Sequence, residues 1–363
     1  MQLFLAAFER VPDPRADNTR HDLVDILLVA FVAVLCGATN CCEMAEFGRT
    51  KIRFFKRFLT LKHGIASHDT FSNVLRMIDP KALDAAFGSL TAGLRQALAG
   101  GGVIAIDGKS LKRAYDKGGA HMPRMMVTAY ATELRLSLAS LEAEGGREVE
   151  AALALIGLLD LKGHIVTADA LHCHRRMAEA ILAKRGGYCL ALKGNRGELL
   201  SQAQACLSKA GPRHPRAQSS SHGHGREETR VGIVVKAPGL AEHHNFPGLT
   251  ALGRIQATRR IDGKIETDVR IFALSQVLSP QALLNTVRAH WDIENGLHWQ
   301  LDVTLREDAA RNRKDHGPAN IAVLRRRALD VARRDTSKGS LATKLKRAGW
   351  DHDFLLQMLA QMR

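Results

Sequence analysis

Apolar residues recur at helical spacing through Leu23–Leu35, Ile52–Leu61 and Phe71–Ile78, and Pro12, Pro14 and Pro80 punctuate these segments. Residues 1–100 therefore read as a helical N-terminal region. Between its second and third helices lies Lys62-His63-Gly64, then Ser67-His68-Asp69, good capping residues for a helix beginning at Thr70. Helix, glycine turn and capped helix is the outline of a helix-turn-helix. Asn73 and Arg76 would face outward from it and could read base edges. An ordinary helical hairpin leaves the same trace.

After Gly100-Gly101-Gly102 the spacing changes. Val103–Ile106 is a continuous apolar run, a buried strand predicted to end at Asp107. Met125–Thr132 and Leu134–Leu141 read as two strands of a meander, followed by an apolar helix over Glu148–Leu158. Ile165–Ala168 is a second buried strand ending at Asp169. A helix over Arg175–Arg185 and a strand over Tyr188–Leu192 lead into Lys193-Gly194-Asn195. This order predicts an α/β fold, a mixed sheet flanked by helices, whose first part occupies 101–210. Residues 211–228 are polar and read as an exposed loop. Thr229–Val235, Thr250–Arg260 and Glu266–Ala273 then read as strands, with a turn at Asp262-Gly263, making 211–278 a β-rich insertion. From Ser279-Pro280 onward the pattern is helical. The long segment Leu283–Leu301 opens a stretch, 279–363, that completes the core and ends in basic helices.

Charge adds a partner to this outline. The net formal charge is +15 and the pI near 9.9, which points to a polyanion such as nucleic acid. Residues 306–363 hold 14 Lys/Arg against 7 Asp/Glu. Arg325-Arg326-Arg327 in this segment resemble a phosphate-contacting surface. Six cysteines without a paired framework read as reduced thiols of a cytoplasmic protein. The apolar run 24–38 is too short to span a bilayer, and Met1–Phe8 lacks the basic start of a signal peptide.

Two buried strands each deliver an acid where loops open to solvent, Asp107 and Asp169. Hard carboxylate oxygens on a rigid sheet suit Mg²⁺ or Mn²⁺, and a two-ion site needs a third carboxylate. Glu294 is the candidate, with His290 and His298 one turn to either side on the same helical face. Trp291 and Leu297 beside that face can pack it on the sheet. A surface ion pair is the plain alternative for Glu294, and Asp302, Glu307 or Asp308 could be the important acid instead. Lys109, two residues beyond Asp107, could neutralise a phosphate or pair with one of the acids. Lys193 has the same two readings. His172 and His174 read as rim residues, and His222-Gly223-His224 as part of a flexible loop.

Three segments carry a family resemblance: Ile106-Asp107-Gly108-Lys109, Thr167-Ala168-Asp169-Ala170 and Trp291-Asp292-Ile293-Glu294-Asn295. They resemble the catalytic motifs of DDE-type insertion-sequence transposases. Cys36-Gly37-Ala38, Glu43–Gly48, Ser67–Phe71, Leu192–Asn195 and His298–Val303 are similar to the branch called H-repeat-associated proteins. The resemblance implies an RNase H-like core with a β-rich insertion between the second Asp and the Glu. It also implies that Asp107, Asp169 and Glu294 are catalytic and bind two Mg²⁺ or Mn²⁺ ions. The implied chemistry is hydrolysis at transposon ends followed by strand transfer. Double-stranded DNA is the implied partner, and the DNA-bound protein a homodimer or higher oligomer. Related transposases carry a Tyr-x2-Arg-x3-Glu-x6-Lys signature, which here reads Val287, His290, Glu294 and Leu301. The phosphate-contacting role then moves to Arg288, His290 or His298. A structure-specific nuclease on the same fold and a domesticated DNA-binding protein are the alternatives.

Overall fold

The computed structural model describes residues 1–90, 100–115, 123–223, 226–262 and 264–362. Gly263 of the expected turn and His224 of the expected loop lie outside these residues. Among the described residues the chain opens with α1 (Gln2–Phe8), α2 (Leu23–Leu35), α3 (Cys41–Thr50), α4 (Ile52–Phe55), α5 (His68–Met77) and α6 (Pro80–Leu90). Asp22 starts α2 by accepting from the Val24 amide at 2.7 Å, and Ser67 starts α5 through the Thr70 amide. Eleven of the thirteen residues of α2 are buried, as an all-round apolar helix requires. On α5, Phe71, Val74 and Leu75 face inward and Asn73 outward, as the spacing predicts.

Nine strands form one sheet: β1 (Gly102–Tyr115), β2 (Pro123–Ala131), β3 (Leu136–Glu142), β4 (His164–Ala168), β5 (Gly187–Leu192), β6 (Arg216–Gly223), β7 (Arg226–Lys236), β8 (Ala251–Ile261) and β9 (Lys264–Leu274). Their order is β3-β2-β1-β4-β5-β9-β8-β7-β6. β1, β2 and β3 run antiparallel, whereas β4 and β5 continue parallel to β1. This is the RNase H-like mixed sheet that the resemblance implies. The helices α7 (Glu148–Leu158), α8 (Arg175–Ala183) and α9 (Gly197–Ser208) cover one face. A short helix α10 (Leu240–His243) connects β7 to β8.

Two boundaries differ from expectation. β1 does not end at Asp107 but runs on to Tyr115, because β2 remains paired with it antiparallel as far as Tyr115↔Pro123, with an irregularity after Leu111. What ends at this level is the parallel ladder, whose last pair is Ile106↔Ala168. The expected loop 211–228 holds β6 and the start of β7. Strand β6 is a polar edge strand, so no apolar alternation betrays it. The β-rich segment also does not stand apart, since β9 pairs with β5 and extends the main sheet.

The C-terminal half returns as α11 (Pro280–Asp292), a π-helical turn over Ile293–His298, α12 (Trp299–Val303), α13 (Gly317–Arg334), α14 (Leu341–Trp350) and α15 (His352–Ala360). Every residue of α13 from Gly317 to Ala332 is buried. Leu324 and Leu329 of α13 share one apolar core with Phe4, Leu27, Phe31 and Phe87, so the first and last helices pack as one layer. No helix among the described residues is long and apolar enough to cross a membrane.

Burial of α13 corrects the reading of its arginines. Arg325, Arg326 and Arg327 are at most 2% exposed. Arg326 pairs with Glu307 at 2.9 Å, and Arg327 with Asp84 at 2.7 Å and Asp330 at 3.2 Å. Arg325 donates to the Thr39 carbonyl at 3.0 Å. These guanidinium groups tie the helical layer to the sheet and cannot meet DNA. Three consecutive charges suggested a surface, but this helix lies between two layers and satisfies them with buried acids.

Candidate active site

The end of the β1–β4 ladder sets two acids side by side. Asp107 follows Ile106 on β1, and Asp169 follows the paired Ala168 on β4. The Asp169 carboxylate accepts from the Leu171 amide at 3.0 Å, which turns the chain sharply after the strand. Gly108 makes room beside Asp107, since a Cβ there would stand 2.5 Å from the Glu148 carboxylate and 2.8 Å from the Met125 sulfur. The Asn195 amide donates to the Ala170 carbonyl at 2.6 Å, fixing the loop that carries Lys193 against the segment after Asp169.

The third acid arrives on the helix opposite. Ser279 caps α11 through the Ala282 amide, and Pro280 occupies the first turn. The helix then widens into the π-turn Ile293–His298, a rare insertion associated with functional sites. Glu294 lies within it. Leu297 and Leu301 anchor the far side of this helix in the helical core, while Leu283 and Val287 anchor its start on the sheet.

Asp107, Asp169 and Glu294 line one cavity of about 490 Å³, with Lys193, Arg259, Asp268, Arg270, His290 and Trp291. Burial is the main force pushing Asp107 up to about 7; the Gly108 amide opposes it, and Glu294, Asp169 and Glu148 push it further up. Glu294 is also raised, first by burial and then by Asp169, against the pull of Arg270. Asp107 and Glu294, both raised by burial and by Asp169 beside them, form with Asp169 a hard-oxygen donor set. Carboxylate oxygens are the donor type that divalent cations such as Mg²⁺ take.

The histidines beside it are neutral. Burial drives His290 down to about 4, and its Nδ1 lies 3.0 Å from the Thr167 hydroxyl. Burial, with Arg326 and Lys109 nearby, drives His298 down to about 3. Its Nδ1 stands 3.6 Å from Asp107 Oδ2.

Several expectations need correction. Lys109 does share the Asp107 face of β1, but it is 7% exposed and pairs with Asp302 at 2.7 Å and Asp308 at 3.1 Å. It is an internal ion pair, and Asp302, Glu307 and Asp308 serve it and Arg326 outside the cavity of the three acids. Trp291 is not buried against the sheet: it is partly exposed, and its one described ring contact is the Arg270 guanidinium of β9 at 5.1 Å. His172 is no rim residue, being fully buried against Glu148 at 3.3 Å, and His174 caps α8. Arg76 is held by Asp315 at 2.6 Å, which leaves Asn73 as the exposed one of the two.

Lys193 and Arg288 are exposed, the first on the acid cavity and the second on an adjoining groove of about 810 Å³. Arg135, Arg230, Arg259 and Arg270 also line that groove, and Arg259, Arg270, Val287 and Trp291 border both spaces. Sequence reasoning missed Arg259 and Arg270. Each stands on a strand of the β-rich segment, and only the β5–β9 pairing, Leu192↔Ile271, brings them to the acids. An arginine at the start of the apolar run 270–274 was the one available signal.

Comparison with known proteins adds an independent line. Residues 5–91 match the family described as DDE_Tnp_1-associated, and residues 98–329 match the Transposase DDE domain. The chain is 31% identical to the "H repeat-associated putative transposase YhhI" of Escherichia coli K12 over 96% of each chain. It is 30% identical to the "Putative transposase YncI" of Escherichia coli O157:H7, over 99% of this chain and 95% of the other. A piggyBac transposase synaptic complex with hairpin DNA aligns over the whole chain and 80% of its own, with 12% identity and a TM-score of 0.42. That last likeness is too slight to carry an argument. The domain match spans Asp107, Asp169 and the helix that brings Glu294 to them, and with it the chain belongs to the DDE transposase family.

Proposed function

We propose that this protein is an insertion-sequence transposase that cuts and joins double-stranded DNA at the cavity of Asp107, Asp169 and Glu294. The observation that carries the reading is the meeting of these three carboxylates in one cavity, beside a groove bordered by five arginines. Mg²⁺ or Mn²⁺, two ions at full loading, would supply charge neutralisation and Lewis acidity to phosphodiester attack. The carboxylates hold that positive charge in place. Lys193, Arg259, Arg270 and Arg288 bind the phosphates on either side of the scissile bond and orient it.

In the cutting step, water attacks phosphorus and the bond to the 3′ oxygen breaks, leaving a 3′-hydroxyl. In joining, that hydroxyl attacks a target phosphodiester and displaces its 3′ oxygen. His290 and His298, neutral at physiological pH, position the carboxylates and can donate hydrogen bonds without competing for the cation site. On α5, Asn73 contributes base contacts to end recognition, and a homodimer or higher oligomer holds the paired ends. The test is incubation of the full chain with duplex carrying the flanking ends and Mg²⁺ or Mn²⁺. Nicked and joined products support the reading, and intact DNA under both metals overturns it.

A further inference from the structure

Away from the acid cavity, two imidazoles, a carboxylate and an amide converge where the β7–β8 connection meets α9. His243 ends α10 and His244 follows it, their rings 4.7 Å apart and nearly perpendicular. Glu198 and Gln202 stand one turn apart near the start of α9. One ligand atom from each of Glu198, His243 and His244 lies within 4.8 Å of the others. His243 Nε2 stands 3.5 Å from Glu198 Oε1. Ligands at 2.0–2.1 Å from a tetrahedral ion sit about 3.4 Å apart, so this pair already spans one tetrahedral edge.

Gln202 organises the two rings. Its Nε2 lies 3.1 Å from His243 Nε2, and its Oε1 lies 3.0 Å from His244 Nε2. The amide donates to His243 Nε2 and accepts from His244 Nε2, so without metal Gln202 occupies the two ring nitrogens an ion would take. His244 reaches the ligating tautomer by moving its proton to Nδ1. Two imidazoles and one carboxylate are a borderline donor set, unlike the oxygen-only acid cavity, and they favour Zn²⁺ over Mg²⁺.

We infer that Glu198, His243 and His244 form a second metal site, for Zn²⁺ or a similar imidazole-seeking divalent ion, which displaces the Gln202 amide from the rings. The ion clamps the β7–β8 connection to α9. That helix follows directly on the loop carrying Lys193 and Asn195, so the clamp steadies one wall of the acid cavity without entering it.

The test uses the full chain, stripped with a chelator and titrated with ZnCl2 alone by calorimetry. Wild type should bind one equivalent that His243→Ala/His244→Ala lacks and that Asp107→Asn keeps. Gln202→Ala, which removes a competitor for both ring nitrogens, should keep that equivalent. Wild-type protein loaded with Co²⁺ should also show the intense visible absorption of a tetrahedral site, a readout that needs no variant. An unchanged zinc equivalent in the double histidine variant, its loss in Asp107→Asn, or an octahedral cobalt spectrum would each overturn the assignment.

Discussion

His298 Nδ1 stands 3.6 Å from the Asp107 carboxylate, and it is the π-turn Ile293–His298 that brings the ring there. Burial holds this imidazole neutral, so it contributes position and packing, not charge. Replacing His298 with Ala should weaken divalent-ion affinity or cleavage by about 10–100-fold, as for other residues that orient metal ligands. The check is a Mg²⁺ titration of DNA cleavage by the folded variant. Wild-type behaviour would mean the ring is only a core filler.

Arg327 lies between Asp84 and Asp330 with all three side chains buried. Arg327→Ala leaves two acids uncompensated and should cost about 3–5 kcal/mol of stability by urea unfolding. A loss below about 1 kcal/mol, the scale of an exposed ion pair, would contradict the buried network. Lys109→Met should likewise lower stability through Asp302 and Asp308. Neither change removes a DNA contact.

The groove makes the opposite prediction for exposed cations. Lys193→Ala and Arg288→Ala should leave unfolding curves nearly unchanged. Each should weaken binding to all sequences alike and flatten its salt dependence by up to about 0.9. Equal slopes for wild type and both variants would move the DNA path elsewhere.

The acid cavity should behave as a site tuned for charge at the expense of stability. Asp107 is buried near Glu294, Asp169 and Glu148. Asp107→Asn relieves that repulsion and should raise the metal-free melting temperature by about 2 °C or more. Wild type should instead be stabilised by added Mg²⁺, and the variant much less so. Differential scanning fluorimetry with and without Mg²⁺ decides this, and a variant less stable than metal-free wild type would contradict it.

Much of this was legible in the chain itself. The runs before Asp107 and Asp169 declared buried strands, because four apolar residues at 103–106 and three of four at 165–168 fit a doubly covered sheet. The α5 face Phe71, Val74 and Leu75 followed from helical spacing. What pattern could not convey was pairing. Arg259 and Arg270 reach the site only through β9 docking on β5, and no local feature of residues 251–274 specifies that partner. Arg325–Arg327 misled for a related reason. Local charge density does not reveal that Asp84 and Glu307, each in another element, meet them inside beside Asp330 of the same helix. The edge strand β6 carries no apolar alternation at all.

The central claim is that Asp107, Asp169 and Glu294 act together, and single-turnover cleavage of end-containing duplex tests it most directly. Asp107→Asn, Asp169→Asn and Glu294→Gln should each stop cutting in Mg²⁺ and Mn²⁺. Each should still bind the same duplex within about threefold of wild type, less than 1 kcal/mol of binding energy. If any one of the three variants cuts at a near wild-type rate, that residue lies outside the catalytic set and the account fails at its centre.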